Sequence, residues 1–176
     1  MTAEEKSANE NALQALGIRT MSPADLPQIE RLDERAFGPG RFARTAYRLR
    51  EGRGPEFNLS HVAHVGTLLV GANLMSAVEC AGHPVLLLGP LTVDPAFQSR
   101  GIGEALMKHS LDAARKAGYA LVFLVGDEPY YARAGFKRVP AGRVRLPGPV
   151  DLARVLYCEL QDGAFEGVSG ILQRPR

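Results

Sequence analysis

Leu91-Thr92-Val93-Asp94-Pro95-Ala96-Phe97-Gln98-Ser99-Arg100-Gly101-Ile102-Gly103 is the stretch that decides the fold. Its first residues end a run, 86–93, that is almost wholly apolar and therefore reads as a central strand buried on both faces. Gly89-Pro90 interrupts that run. Proline cannot donate to a ladder, so a bulge is expected in mid-strand. After Asp94-Pro95 the chain turns, and a helix is expected over about 101–117. Its apolar stripe is Ile102, Leu106, Met107, Leu111, Ala113, Ala114 and Ala117, with Gly118 as the C-cap. A helix start offers unpaired N–H groups and the positive end of a dipole. Gly101 and Gly103 let an anion approach that backbone closely, which makes a phosphate cradle that needs no lysine. Two better-known phosphate loops do not fit. There is no Gly-Lys-Ser/Thr, and the third glycine of a dinucleotide fingerprint would fall at Leu106.

Upstream, 17–21 alternates like a short strand. Ser22-Pro23 then opens a helix, with Ser22 as N-cap, Pro23 at the first helical position and Asp25 suited to the positive end. Gly38-Pro39-Gly40 stops it. A second helical stretch is expected over 41–51, then strands over 59–65 and 67–78 around a turn near Gly66. Downstream, 120–125 reads as another buried strand. A short helix near 129–134 follows, and then strand material at 135–138, 143–146 and 154–160. This order predicts an α+β fold: a mixed, mainly antiparallel twisted sheet flanked by helices, with one parallel crossover around the 101–117 helix. Residues 1–16 read as a polar lead-in with a helical turn or two, 17–160 as one domain, and 161–176 as a weakly periodic tail that could cover a cleft or complete a homodimer.

Length and composition bound the function. The 176 residues make one domain large enough to bury a real core. Basic and acidic side chains number 21 and 19, so a net charge of +2 argues against nucleic-acid binding by bulk charge. The longest apolar stretches are roughly half the ~20 residues a membrane helix needs, so no membrane partner is expected. The first ten residues have no apolar segment of a secretory signal, and a cytoplasmic location follows as the default. Cys80 and Cys158 are too few for a disulfide framework or a zinc site.

Gln98-x-x-Gly101-x-Gly103, preceded by Leu91-Thr92-Val93-Asp94-Pro95, resembles the acyl-CoA pyrophosphate motif of the GNAT superfamily of N-acyltransferases. Tyr131-Ala132-Arg133-Ala134-Gly135-Phe136 resembles that superfamily's Tyr-x-x-x-Gly-Phe segment at the expected distance downstream. Gly126-Asp127 before Tyr130-Tyr131, and Arg145-Leu146-Pro147-Gly148-Pro149 after it, look like the YhbS-like branch. The resemblance runs from about Ile18 to Leu160. It implies a GNAT-like fold in which two parallel strands splay apart to clamp acetyl-CoA, with no metal. The pantetheine would lie along Leu91, Thr92 and Val93, and the pyrophosphate on the N–H groups of Ser99, Arg100, Gly101, Ile102, Gly103 and Glu104, beside Gln98. The Val93 N–H would stabilise an oxyanion. Tyr131 would be the general acid that protonates the departing thiolate; a phenol with pKa near 10 keeps its proton at neutral pH. The implied reaction is acetyl transfer to a primary amine by direct attack through a tetrahedral intermediate. Leu124 stands where some members carry an Asn that contacts pantetheine.

Other candidates are weaker. Glu79 and Asp127 are the carboxylates considered as base for the amine. Tyr130, the immediate neighbour of Tyr131, is the lesser candidate for the acid. His61 and His64 lie three apart in a strand and face opposite ways, poor geometry for a shared metal. Arg31, Arg35, Arg41, Arg44, Arg48, Arg50 and Arg53 make a basic stretch through the early helices. Those helices border the acceptor cleft in the related fold, so an acidic or phosphorylated acceptor competes with a merely solvated face. A catalytically inactive acyl-CoA-binding sensor or interaction module is the alternative reading, disfavoured by the intact Tyr131.

Overall fold

The computed structural model describes residues 15–43 and 45–175. Strand β1 is Leu16–Thr20. Ser22 then starts a helical turn, its N–H and hydroxyl donating to the buried Asp25 carboxylate at 2.8 and 3.0 Å. Arg19 grips the same carboxylate with two nitrogens at 2.6 and 2.8 Å. The turn leads into helix α1 (Leu26–Phe37), which stops at Gly38. Helix α2 (Thr45–Arg48) is a single turn. An antiparallel meander follows: β2 (His61–Val65), β3 (Leu68–Cys80) and β4 (His83–Val93). Helix α3 (Ile102–Lys116) crosses over to β5 (Leu121–Val125), which lies parallel to β4. Then come α4 (Glu128–Tyr131), β6 (Lys137–Arg138), β7 (Val144–Arg145), β8 (Val155–Glu159) and β9 (Gly170–Gln173). The main order is β1-β2-β3-β4-β5-β8-β6, which puts β4 at the centre.

The two-residue period of the central strands makes the core. Leu86 and Leu88 of β4 join Val122 and Leu124 of β5 under Met107, Leu111 and Ala114 of α3. Val85, Leu87, Leu121 and Phe123 point the other way, toward Leu49, Phe165 and Val168. Ile29 and Leu32 of α1 pack on Val62, Leu69 and Ala72, while Ala63 and Val70 meet Ile102 and Leu106 of α3. The sheet is therefore covered by α1 on one face and α3 on the other.

The expected mixed, mainly antiparallel sheet and the 101–117 helix are present. Two expectations change. The helix over 41–51 contracts to α2 after a 3₁₀ segment, Pro39–Ala43, because Leu49 and Thr45 are its anchors and the Thr45 hydroxyl donates sideways to the Pro149 carbonyl. Residues beyond 160 contain β9, which pairs antiparallel with β3 and parallel with β7. Its Gln173 amide donates to Glu79 at 2.6 Å. The helical turn expected in the lead-in lies outside the described residues. Among the described residues no helix is long and apolar enough to cross a membrane. Both cysteines are buried and free, and burial pushes both thiols up.

Arg19, first of all, and the Ser22 donors hold the Asp25 carboxyl well below the usual carboxylate range against the opposing effect of burial. A depressed folded pKa means stability that is full above the unfolded value near pH ~4 and lost as pH falls toward the folded one. Asp25→Asn should therefore lower stability at pH 7 by about 1–3 kcal/mol. Chemical denaturation across pH should show the deficit shrinking below pH ~4 as wild type loses the same interaction.

Candidate active site

β4 and β5 pair only at Leu86 opposite Val122 and Leu87 opposite Phe123, although β4 runs on to Val93. Between those points lies Gly89-Pro90, a cis peptide, and the register against β3 slips: Met75 opposes Leu88, but Asn73 opposes Leu91. The expected bulge is there. Beyond it the ladder has a definite sense. The Asp94 N–H donates to the Val70 carbonyl at 2.8 Å, and Gly71 faces Val93. Antiparallel alternation then turns the N–H and C=O of Leu91 and Val93 away from β3, toward the side where β5 has departed. The result is a strand edge that another extended molecule can pair with.

The loop after β4 aims a helix start at that edge. Asp94 accepts from the Ala96 N–H at 3.0 Å and takes Arg35 of α1 at 2.9 Å, which fixes the turn. Ser99 and Gly101 are both left-handed, at φ of 62° and 76°. Gly101 caps α3 without any side-chain bond, and the Ala105 N–H is already bonded to the Gly101 carbonyl. The N–H groups of Ile102, Gly103 and Glu104 therefore have no acceptor within the helix. At Gly103 a β-carbon would lie 2.3 Å from the Tyr130 hydroxyl oxygen, so only glycine fits under that ring as it stands.

These parts share a cleft of about 680 Å³. Of the residues singled out from sequence, Leu91, Val93, Gln98, Ser99, Gly101, Ile102, Gly103, Glu104 and Tyr131 line it. Thr92 and Arg100 do not. Thr92 points to the opposite face, where its hydroxyl donates to Asp33, and the Arg100 guanidinium lies 5.2 Å over the Phe97 ring. Tyr130, the lesser candidate acid, lines the cleft too, and sequence reasoning missed Phe97 and Arg133 as lining residues. Arg133 holds Glu104 at 2.8 Å and so ties the segment after α4 to the start of α3. Its signal was its place two residues after Tyr131.

Tyr131 packs edge-on against Tyr130 and Phe136, with ring centroids 4.9 and 6.0 Å away. Burial, then Tyr130 and Asp127, push its phenol up to about 12, so it carries its proton at neutral pH. A second cleft of about 710 Å³ opens between α1, α2, the β4 kink and residues 149–151, and it shares Leu91, Tyr130 and Tyr131 with the first. Tyr131 thus stands where two clefts meet. The second cleft contains Asp33, whose carboxyl is raised by burial although the Thr92 hydroxyl pulls it back. It also contains Arg50, which burial lowers to about 10 and which remains charged at neutral pH. Asp127 lines this cleft and pairs with Arg154 at 3.2 Å. Glu79 lines neither cleft: it sits at the far end of β3, opposite Pro84.

Comparison with known proteins agrees with this geometry. The acetyltransferase (GNAT) domain model matches residues 58–138. The chain is 29% identical over 158 residues to the uncharacterized N-acetyltransferase YhbS of Escherichia coli K12, covering 89% of this chain and 94% of the relative. It is 31% identical over 130 residues to the uncharacterized N-acetyltransferase YjhQ of the same organism, covering 72% and 71%. The crystal structure of Escherichia coli YhbS with CoA matches with a TM-score of 0.79 at 27% identity, over 92% of this chain and 90% of that one. A GNAT family acetyltransferase from Brucella melitensis, solved with acetyl-CoA, matches at 0.69 and 26% identity, over 91% and 96%. A splayed parallel strand pair, a glycine-capped helix aimed at the gap, and this extent of likeness together make the chain a member of the GNAT family of acetyltransferases.

Proposed function

We propose that this acetyltransferase uses acetyl-CoA as donor and a primary amine as acceptor, by direct attack and without a metal. The observation that carries the reading is the meeting of three features in one cleft: the open edge of β4, the uncapped start of α3 and the protonated Tyr131. The donor fits this chain's groups. An amide-rich pantetheine arm can pair with the outward backbone groups of Leu91 and with the Val93 N–H as a false strand, the Val93 carbonyl already accepting from the Gln98 amide at 3.4 Å. A pyrophosphate can take the N–H groups of Ile102, Gly103 and Glu104 together with the positive helix end. The YhbS and Brucella melitensis structures hold CoA and acetyl-CoA, which supports the same donor here.

The acceptor would enter through the second cleft, since the two clefts join at Leu91 and Tyr131. As the amine nitrogen bonds to the acyl carbon, charge develops on the carbonyl oxygen, and the Val93 N–H, which with that of Leu91 faces the open edge, is the donor assigned to it. Collapse expels the thiolate, and Tyr131 is the acid in place to protonate it. Asp127 lines the acceptor side and can take up the amine proton directly or through water.

Calorimetry with acetyl-CoA, CoA and a plain nucleotide tests the donor; absence of CoA binding at micromolar concentration would sink the reading. With any amine that supports turnover, Tyr131→Phe should lower kcat by about tenfold or more while acetyl-CoA affinity stays near wild type. Unchanged turnover removes Tyr131 from the chemistry. Gly126→Ala tests the same residue indirectly. Its new β-carbon would lie 2.3 Å from the Tyr131 ring and 3.1 Å from Leu124, so the ring must shift. The expected result is a kcat loss of about tenfold or more with donor binding retained, because small misplacements at the reacting centre are costly.

A further inference from the structure

The second cleft carries a cation that the protein does not satisfy. Arg50 follows α2, and one of its terminal nitrogens lies 3.7 Å from where a β-carbon on Gly89 would stand, over the kink in β4. Its Nε is buried and has no hydrogen-bond partner. Among the described residues no ion pair involves Arg50, and its terminal nitrogens bond to none of them. Asp33 is the nearest attracting carboxylate, but it already accepts from the Thr92 hydroxyl and stands beyond ion-pair distance. Arg50 as a whole is half-buried, but an Nε–H shut away from water without a partner is costly in the free protein, because burial removes hydration that nothing replaces. Its planar fork matches a carboxylate, which it can hold by two parallel hydrogen bonds.

We infer that Arg50 is the specificity residue of the acceptor cleft, where it binds the carboxylate of a short amino acid-like acceptor whose amine is then presented at the Leu91–Tyr131 junction. This deepens the acetyltransferase reading and rests on it. Placement limits the size of the acceptor. The guanidinium sits over Gly89, only two residues before Leu91, so the carboxylate and the amine must be close together. Charge favours a zwitterion over a phosphate dianion. The cleft is lined by four arginines and four carboxylates, so it has no net positive field for a second negative charge.

The test uses the full chain and a panel of free amino acids, each with its carboxamide, its decarboxylated amine and its aminoalkylphosphonate analogue. Two signals are read: thermal shift of the CoA-saturated protein, and thiol release from acetyl-CoA. The best acid should exceed its carboxamide by about tenfold or more in kcat/KM, the value of losing a charged, bidentate partner. Arg50→Gln should erase that ratio, mainly through KM, and Arg50→Lys should restore it only in part. Without ligand, Arg50→Gln should melt no lower than wild type, because the substitution removes a buried donor that has no partner; a merely structural arginine would give the reverse. Equal use of acid and carboxamide, preference for the phosphonate, a ratio that survives Arg50→Gln, or a large loss of melting temperature in that variant each overturns the proposal. Acids that shift wild type but not Arg50→Gln, with no thiol released from acetyl-CoA, would overturn the transferase reading and leave the carboxylate site standing.

Discussion

Leu87 and Phe123 are the last residues across which β4 and β5 hold each other. Both clefts that meet at Leu91 and Tyr131 open just beyond that point. A parallel pair normally continues until one strand ends, because each lost ladder bond leaves a buried backbone group to satisfy. Here Pro90 has no N–H to offer, and the bulge opposite Leu74 turns the end of β4. The backbone groups that would have served β5 are left for another extended molecule. The start of α3 is arranged on the same terms, since Gly101 supplies no side chain to occupy its free donors. In both places a deficit in the protein's own hydrogen bonding is what makes the site.

The donor half of this arrangement was legible in the sequence because its signals are local. A run of apolar residues broken by Gly89-Pro90, a polar turn and two glycines at a helix start are all read within about a dozen positions of one another. The structure adds direction: Leu91 and Val93 line the cleft while Thr92 turns away to Asp33, which is the pleat asserting itself on three consecutive candidates. Arg100 was proposed for its backbone N–H, and its guanidinium stacks on Phe97. The acceptor half was much less legible. Arg50 was one of seven arginines in a basic stretch, and nothing in their spacing distinguishes it from a solvated face. Only burial of its Nε over Gly89 separates it from the rest. Glu79 and Asp127 were equivalent as carboxylates near strands, yet β9 claims the first and the second cleft contains the other.

The near balance of charge takes on a different meaning once the two clefts are separated. The donor cleft as proposed would face a polyanion mainly with oriented N–H groups, which add nothing to formal charge. The acceptor cleft is crowded with full charges that nearly cancel. Field strength in one comes from geometry, and selectivity in the other from the particular placement of opposite charges. Neither could be inferred from a net charge of +2.

The strand that replaced the expected tail has a consequence for how the molecule is assembled. The donor cleft is lined entirely by residues between 91 and 133. The acceptor cleft draws on α1, α2, the β4 kink and residues 149–154. Its walls are tied across a long sequence distance by Thr45 to Pro149, and α2 beside them is held by Arg174 donating to the Arg48 carbonyl. Contacts between distant segments close late, because loop entropy must be overcome before they contribute. The donor cradle can therefore take shape within a short, nearly self-contained stretch, whereas the acceptor wall waits for almost the whole chain. On the proposed assignment of the two clefts, the same separation would let evolution rework the acceptor wall, through segments far apart in sequence, without disturbing the donor cradle.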